Sequence, residues 1–401
     1  MENAYIIDAI RTPVGKWGGT LSSVRADDLA ALTIKELMKR NENVPAEKIE
    51  DVILGCANQA GEDNRNVARM AVLLADLPVS VPGETVNRLC SSGLASIVHA
   101  SRAIKLNEGD IFIAGGVESM TRAPYVLSKT AKPYGRDAKM WDTSIGWRFP
   151  HPKMAEVYGT EAMGETAENV AEMYKISRED QDKFALHSQQ KAAKARDNGR
   201  LAKEIMSVEI PQRKADPIIF NTDEFIRDNS TIEKLSSLKP AFRKGGTVTA
   251  GNASGVNDGS CAVLLAGDKA VNEYGLKPMA KMISSAVVGV EPRIMGIGPI
   301  DAANKALERA GLKWQDVDVI ELNEAFSAQA LAVVRTWGLD EYDERINPNG
   351  GAIAIGHPLG MSGARLTQSA AIELHEKDKQ FAVVTMCVGV GQGYAAVIER
   401  V

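Results

Sequence analysis

Two short segments place a thiol and an imidazole where backbone geometry favours chemistry. In Asn87-Arg-Leu-Cys90-Ser-Ser-Gly-Leu94 a cysteine opens a helical pattern that runs to Ile104. In Ala354-Ile-Gly-His357-Pro-Leu-Gly-Met-Ser-Gly363 a histidine opens another, which runs to Leu374. A helix N-terminus carries partial positive charge, which lowers the pKa of a cysteine there and favours the thiolate. An imidazole within reach would take the proton and complete a Cys–His nucleophile pair. A second cysteine, Cys387, ends a strand-like run in Thr385-Met-Cys-Val-Gly-Val-Gly-Gln-Gly393. Its glycines would let backbone N–H groups come close to a ligand. That run has neither the dinucleotide-binding glycine spacing nor the lysine of a phosphate loop.

The other two cysteines, Cys56 and Cys261, fall inside apolar strand patterns and read as small buried hydrophobes. His99, His187 and His375 lie in helical stretches and His151 in a charged segment, where surface or structural roles are expected. No C-x-x-C pair or H-E-x-x-H spacing occurs, so neither a disulfide framework nor a metal site is expected. The chain of 401 residues is 44% hydrophobic and 25% charged with a net charge of −5, and its basic residues are scattered. That balance points away from nucleic acid and from a membrane surface. No run reaches the roughly 18 apolar residues of a spanning helix. The opening Met-Glu-Asn-Ala-Tyr has no presequence character and the closing Ile-Glu-Arg-Val is no targeting tail, so a cytoplasmic location is expected.

The elements that must hold these residues repeat. The first half reads strand (Tyr5 to Ala9), helix (26–40), strand (51–58), the Cys90 helix, strand (111–116) and strand (259–266). The second reads strand (280–290), helix (300–310), strand (318–326), the His357 helix, strand (381–386) and strand (393–400). Asp51 and Asp318 are 267 positions apart, and so are Cys90 and His357. Matching order and spacing point to a duplication, and alternating strands and helices to α/β layers with buried sheets. Two domains are expected, 1–275 and 276–401, with an insertion over 121–246 that has no counterpart in the second half. Inside it, Ser177-Arg-Glu-Asp180 caps a helix and Gly199 follows its end.

Taken together and in order, VNRLCSSGL, GTVTAGNASGVNDG, NEAF, GGAIAIGHPLGMSGAR and CVGVGQG resemble the thiolase family over the whole chain. The resemblance implies a layered α-β-α-β-α fold and cofactor-free cleavage or synthesis of 3-oxoacyl-CoA, with CoA as substrate. It implies that Cys90 forms the acyl-enzyme, that His357 activates it, and that Cys387 moves the α-proton of acetyl-CoA. It also implies two oxyanion sites, one from His357 with a water held by Asn323, the other from the N–H groups of Cys90 and Gly389. Arg227 is expected beside the CoA nucleotide and Ser254 beside its pantetheine arm, in a homodimer or homotetramer.

Two departures stand out. Ala162-Met163-Gly164 occupies the place of the His-Met-Gly typical of acetoacetyl-CoA thiolases, and Ser91 follows the nucleophile where glycine is common. A ketosynthase or hydroxymethylglutaryl-CoA synthase on the same fold would lack Cys387. A non-catalytic acyl-CoA carrier would have no use for Cys90, His357, Asn323 and Cys387 together. Leu21-Ser-Ser-Val-Arg-Ala-Asp-Asp-Leu29, the segment from Gly55 to Arg69 and Asp142-Thr-Ser-Ile-Gly-Trp-Arg-Phe149 resemble 3-oxoadipyl-CoA thiolases; acetoacetyl-CoA is the alternative substrate. An acyl tail ending in a carboxylate needs a partner, and the fork of an arginine suits it. Arg148, between Trp147 and Phe149, is the first candidate. Arg65 is the second, with Glu62 and Asp63 expected to neutralise it.

Overall fold

The computed structural model describes residues 2–401. In the first half, β1 (Ala4–Arg11) leads to α1 (Ala26–Arg40), β2 (Asp51–Gly55) and α2 (Val67–Leu74). Then follow β3 (Glu84–Val86), α3 (Ser92–Lys105), β4 (Ile111–Ser119) and, beyond the insertion, β5 (Asn257–Gly267). The second half comprises β6 (Ala280–Gly289), α4 (Gly298–Ala310), β7 (Val319–Leu322) and α5 (Ser327–Thr336). It closes with α6 (Leu359–Glu376), β8 (Phe381–Val388) and β9 (Gln392–Arg400).

The main strands are ordered β7-β8-β9-β6-β1-β5-β4-β2-β3. From the join outward, β1-β5-β4-β2 mirrors β6-β9-β8-β7, with a parallel outer pair in each half and antiparallel pairs inside. The halves meet edge to edge through only two opposed pairs, Tyr5 with Lys281 and Ile6 with Ala280.

Side chains alternate along each strand, so both sheet faces are buried. Cys261, Val263 and Leu265 of β5 face one apolar cluster, while Ala262, Leu264 and Ala266 face another. The central cluster joins α3 and α6 to the inner faces of both half-sheets. One outer cluster packs α1 and α2 on the first half-sheet, the other packs α4 and α5 on the second. The expected α-β-α-β-α layering is therefore present. The strand expected through Phe326 stops at Leu322, and the rest is held by partners from β5's approach: Ser254 donates to the Ala325 carbonyl, and Ala253 bridges Phe326.

The insertion adds two small hairpins and four helices; among these, Arg178–Asp197 carries the expected cap, the Ser177 hydroxyl accepting the Asp180 N–H. A buried ionic chain anchors it: Asp223 and Glu204 grip Arg11 of β1, and Arg200 joins Glu204 to Glu373 of α6. Among the described residues no helix is long and apolar enough to cross a membrane.

The central helices touch backbone to backbone. A Cβ on Gly93 of α3 would sit 2.5 Å from the Gly360 carbonyl, and one on Gly363 of α6 would strike the backbone of Leu94. Gly363→Ala gains about 1 kcal/mol of helix propensity, but it overpacks a backbone contact that cannot yield, a loss of about 1–3 kcal/mol or more. The variant should melt several degrees below the wild type in a thermal scan. An unchanged midpoint would mean that the two helices can slide apart.

Candidate active site

Cys90 lies in a short 3-10 turn, Leu89–Ser91, just ahead of α3. The turn is tied down by side chains: Asn87 accepts the Leu89 N–H and donates to the Ala57 carbonyl, and the Ser92 hydroxyl donates to the Leu89 carbonyl. These bonds hold Leu89 at φ +48°, a left-handed conformation costly for a non-glycine residue. Ser91 has φ −98°, so serine suits a position where glycine was the expected residue. Cys90 is buried with 9% exposure, and burial pushes its thiol up to about 11. The N–H groups of Gly389 and of Cys90 itself oppose that rise without cancelling it. The expectation of a thiol lowered by the helix dipole is thus overturned: desolvation is the larger effect.

His357 follows Gly356, whose φ of +112° turns the chain into α6. Its N–H donates to Asn257 Oδ1 (2.9 Å), and Asn257 Nδ2 donates to the Gly15 carbonyl. The Ser362 hydroxyl donates to the Pro358 carbonyl (2.8 Å) and so accepts from His357 Nδ1 (2.6 Å). The Nε2 lone pair is then left facing Asn323 Nδ2 at 3.4 Å. Burial, with Arg365 adding to it, lowers the imidazole to about 3, so it is neutral at physiological pH. Asn323 Oδ1 is buried with no partner among the described residues.

Cys387 is fully buried near the end of β8, its thiol raised by burial and by the neighbouring Cys90. The turn between β8 and β9 is tight, with Val390 at φ +62° and Gly391 at φ +82°. It presents the Gly389 N–H to the Cys90 sulfur. Cys90, Cys387 and Gly389 therefore converge. His357 meets Asn323, and its nearer hydrogen-bond partners are Ser362 and Asn323 rather than the Cys90 thiol.

Residues 4–269 match the model of the thiolase N-terminal domain and residues 276–400 that of the thiolase C-terminal domain. The chain belongs to the thiolase family. It is an acyltransferase acting on acyl-CoA, as the family does. It is 58% identical, over 100% of both chains, to the 3-oxoadipyl-CoA/3-oxo-5,6-dehydrosuberyl-CoA thiolase of Escherichia coli. It is 57% identical, again over 100% of both, to a beta-ketoadipyl-CoA thiolase of Acinetobacter baylyi. The crystal structure of the Bacillus anthracis acetyl-CoA acetyltransferase superposes with a TM-score of 0.93 at 40% identity, covering 100% of this chain and 99% of that one.

In this thiolase the expected CoA residues lie close together. Arg227 is exposed and sits over the Phe225 ring (5.1 Å), and that ring occupies the space beside Gly255. Ser254 is half-buried, with its N–H on the Ala325 carbonyl of the NEAF segment. Where short-chain relatives place a histidine, Ala162 caps the helix Met163–Met173, and Met163 joins an apolar cluster with Phe326 and Cys387.

Arg148 is half-buried and donates to the Asn58 carbonyl (2.8 Å), outside the insertion; among the described residues no carboxylate pairs with it. Its neighbour Phe149 is exposed and packs at a tilt against Trp141, with ring centres 4.4 Å apart. Arg65 is exposed. Its neighbours do not neutralise it: Glu62 pairs with Arg25 and Arg122, and Asp63 turns inward to the Cys56 thiol and the N–H groups of Gln59 and Gly61. The sequence reading missed Asn257 and Ser362, although both stand in the segments that name the family.

A buried thiol at about 11 has a testable signature. Alkylation of Cys90 by iodoacetamide follows the thiolate fraction, so its rate should still climb about tenfold per pH unit at about pH 9. A plateau near neutrality would instead reveal a thiolate–imidazolium pair in the resting enzyme.

Proposed function

We propose that this thiolase cleaves 3-oxoadipyl-CoA with CoA, giving succinyl-CoA and acetyl-CoA. The observation that carries the reading is its 58% full-length identity to the Escherichia coli protein named for that substrate. Arg148 supports it, since its guanidinium keeps most of its N–H donors free for a terminal carboxylate.

The chemistry needs no metal or redox cofactor. Cys90 sulfur attacks the 3-oxo carbon as its proton passes to His357 Nε2, whose Nδ1–H is held by Ser362. The tetrahedral alkoxide forms against the N–H groups of Cys90 and Gly389 and then collapses, breaking the C2–C3 bond. The electron pair leaves as the enolate of acetyl-CoA, whose oxygen faces His357 and a water held by Asn323. Cys387 gives its proton to the enolate carbon and releases acetyl-CoA. The thiol of free CoA gives its proton to the Cys387 thiolate and attacks the succinyl–Cys90 thioester; succinyl-CoA forms as the Cys90 thiolate leaves and takes back the proton held by His357. Cys90 and Cys387 end as thiols. Neutral resting partners suit this scheme, because charge appears only as bonds change. Arg227 and Ser254 would hold the nucleotide and pantetheine of CoA. The enzyme is read as cytoplasmic and as a homodimer or homotetramer.

Acetoacetyl-CoA is the second reading, favoured by the fold match to the acetyl-CoA acetyltransferase. Thiolysis assays following the Mg-enolate absorbance separate the two. The wild type should have the higher kcat/KM on 3-oxoadipyl-CoA. Arg148→Ala should lose about 1.5–3 kcal/mol of that discrimination, the scale of a charge-assisted hydrogen bond. Equal losses on both substrates would make Arg148 structural, and a wild-type preference for acetoacetyl-CoA would remove the dicarboxylate reading.

The two cysteines should also separate. Cys90→Ala should take up no radiolabel from acetyl-CoA. Cys387→Ala should still be acylated yet fail to exchange the α-protons of acetyl-CoA in deuterated water. Exchange at the wild-type rate would point to another base.

A further inference from the structure

One buried side chain outside the residues considered so far links the turn after His357 to the loop that supports the Cys90 turn. Glu118, at the end of β4, is 1% exposed. Its Oε1 accepts the Asn58 N–H (3.0 Å), and its Oε2 accepts the N–H groups of Ala57 (3.0 Å) and Gly360 (2.8 Å).

Each donor belongs to a functional segment. Gly360 lies three residues after His357, in the first turn of α6. The Ala57 carbonyl accepts from Asn87, three residues before Cys90 and the same side chain that holds Leu89. The Asn58 carbonyl accepts from Arg148. Cys90 and His357 come from different halves of the chain, and the Glu118 carboxylate bonds the His357 turn directly to the loop on which the Cys90 turn leans.

The residue type follows from the donor set. Three N–H groups demand acceptors on both oxygens, which a carboxyl group supplies most fully when ionised. An amide would turn an NH2 toward at least one of these N–H groups and leave it buried and unpaired. The molecule keeps a carboxylate here against resistance: Asp63, hydrogen-bonded to the Cys56 thiol, lies in the same cluster, where the ligand atoms of Cys56, Asp63 and Glu118 fall within 4.8 Å of one another. Burial raises Glu118 to about 7. The oxygens of both Asp63 and Glu118 are already occupied by the protein's own N–H and S–H donors, so the cluster reads as a strut and not as a metal site.

We propose that Glu118 is a positioning residue of this thiolase, setting the spacing between the Cys90 turn and the His357 turn and tying both to the loop that anchors Arg148. The proposal rests on the reading of Cys90 and His357 as the reacting pair.

The test uses the full-length enzyme. Glu118→Gln and Glu118→Asp are purified and their folding checked by circular dichroism and thermal melting. Acetylation of Cys90 by radiolabelled acetyl-CoA is then followed by rapid quench. In Glu118→Gln the full stoichiometry of label should still reach Cys90, but on the order of ten- to a hundredfold more slowly, the effect of misplacing reacting groups by a fraction of an ångström. KM for acetyl-CoA should stay within about twofold, because the contacts to CoA are untouched. Glu118→Asp, which keeps the charge but reaches less far, should be intermediate. Folded variants that acylate at the wild-type rate, with only a lower melting point, would overturn the positioning role, and so would failure of both variants to fold. Absence of label on Cys90 in the wild type would instead sink the reading on which the proposal rests.

Discussion

The contact between α3 and α6 is the constraint on which the rest depends. Two helices from opposite halves can bring their starts together at the centre only if their backbones touch, and Gly93, Gly360 and Gly363 permit that. Cys90 stands just ahead of α3 and His357 just ahead of α6, so the contact that joins the halves also brings these two turns toward the centre. The layered core follows from the same demand. Both half-sheets must cover the helix pair from opposite sides, and each then needs helices on its outer face.

A site enclosed this way sits in a poor solvent for ions. Cys90 and Cys387 are held as thiols and His357 as a neutral imidazole, all by desolvation. Such a site disfavours standing charge and holds several fixed dipoles: the Gly389 N–H, the Asn323 amide and the hydrogen-bonded imidazole. The strain at Leu89 and the tight turn at Val390 and Gly391 fix those dipoles before substrate arrives.

The duplicated frame was legible in the sequence because it is written twice at one spacing. The equal offsets of Cys90 to His357 and Asp51 to Asp318 gave the repeated frame, and glycine-rich flanks marked the helix starts. What stayed hidden depends on partners distant in the chain. A helix start argues for a lowered thiol, but how deeply the other half buries it is no property of the segment. The strand before NEAF looked longer than it is because Ala325 and Phe326 are held by Ala253 and Ser254, some 70 residues earlier. Asn257 and Ser362 gave no signal of their own, being single polar residues among glycines whose roles exist only once His357 is in place. Arg65 was misjudged for a similar reason, since its acidic neighbours turn to partners elsewhere.

The place of β1 in the sheet sets the order in which the molecule can be built. Tyr5 pairs with Ala266 on one side and Lys281 on the other, so the first strand made is among the last to find its neighbours. At synthesis rates of roughly 5–20 residues per second, it waits on the order of tens of seconds. Throughout that interval an apolar strand destined for burial on both faces has no native edge to pair with. The insertion, made in the meantime, carries Glu204 and Asp223, the carboxylates that finally neutralise Arg11 at the end of that strand. The insertion precedes β5 in the chain, so the counter-charges that let this guanidinium be buried already exist when β5 is made and the first half-sheet can close.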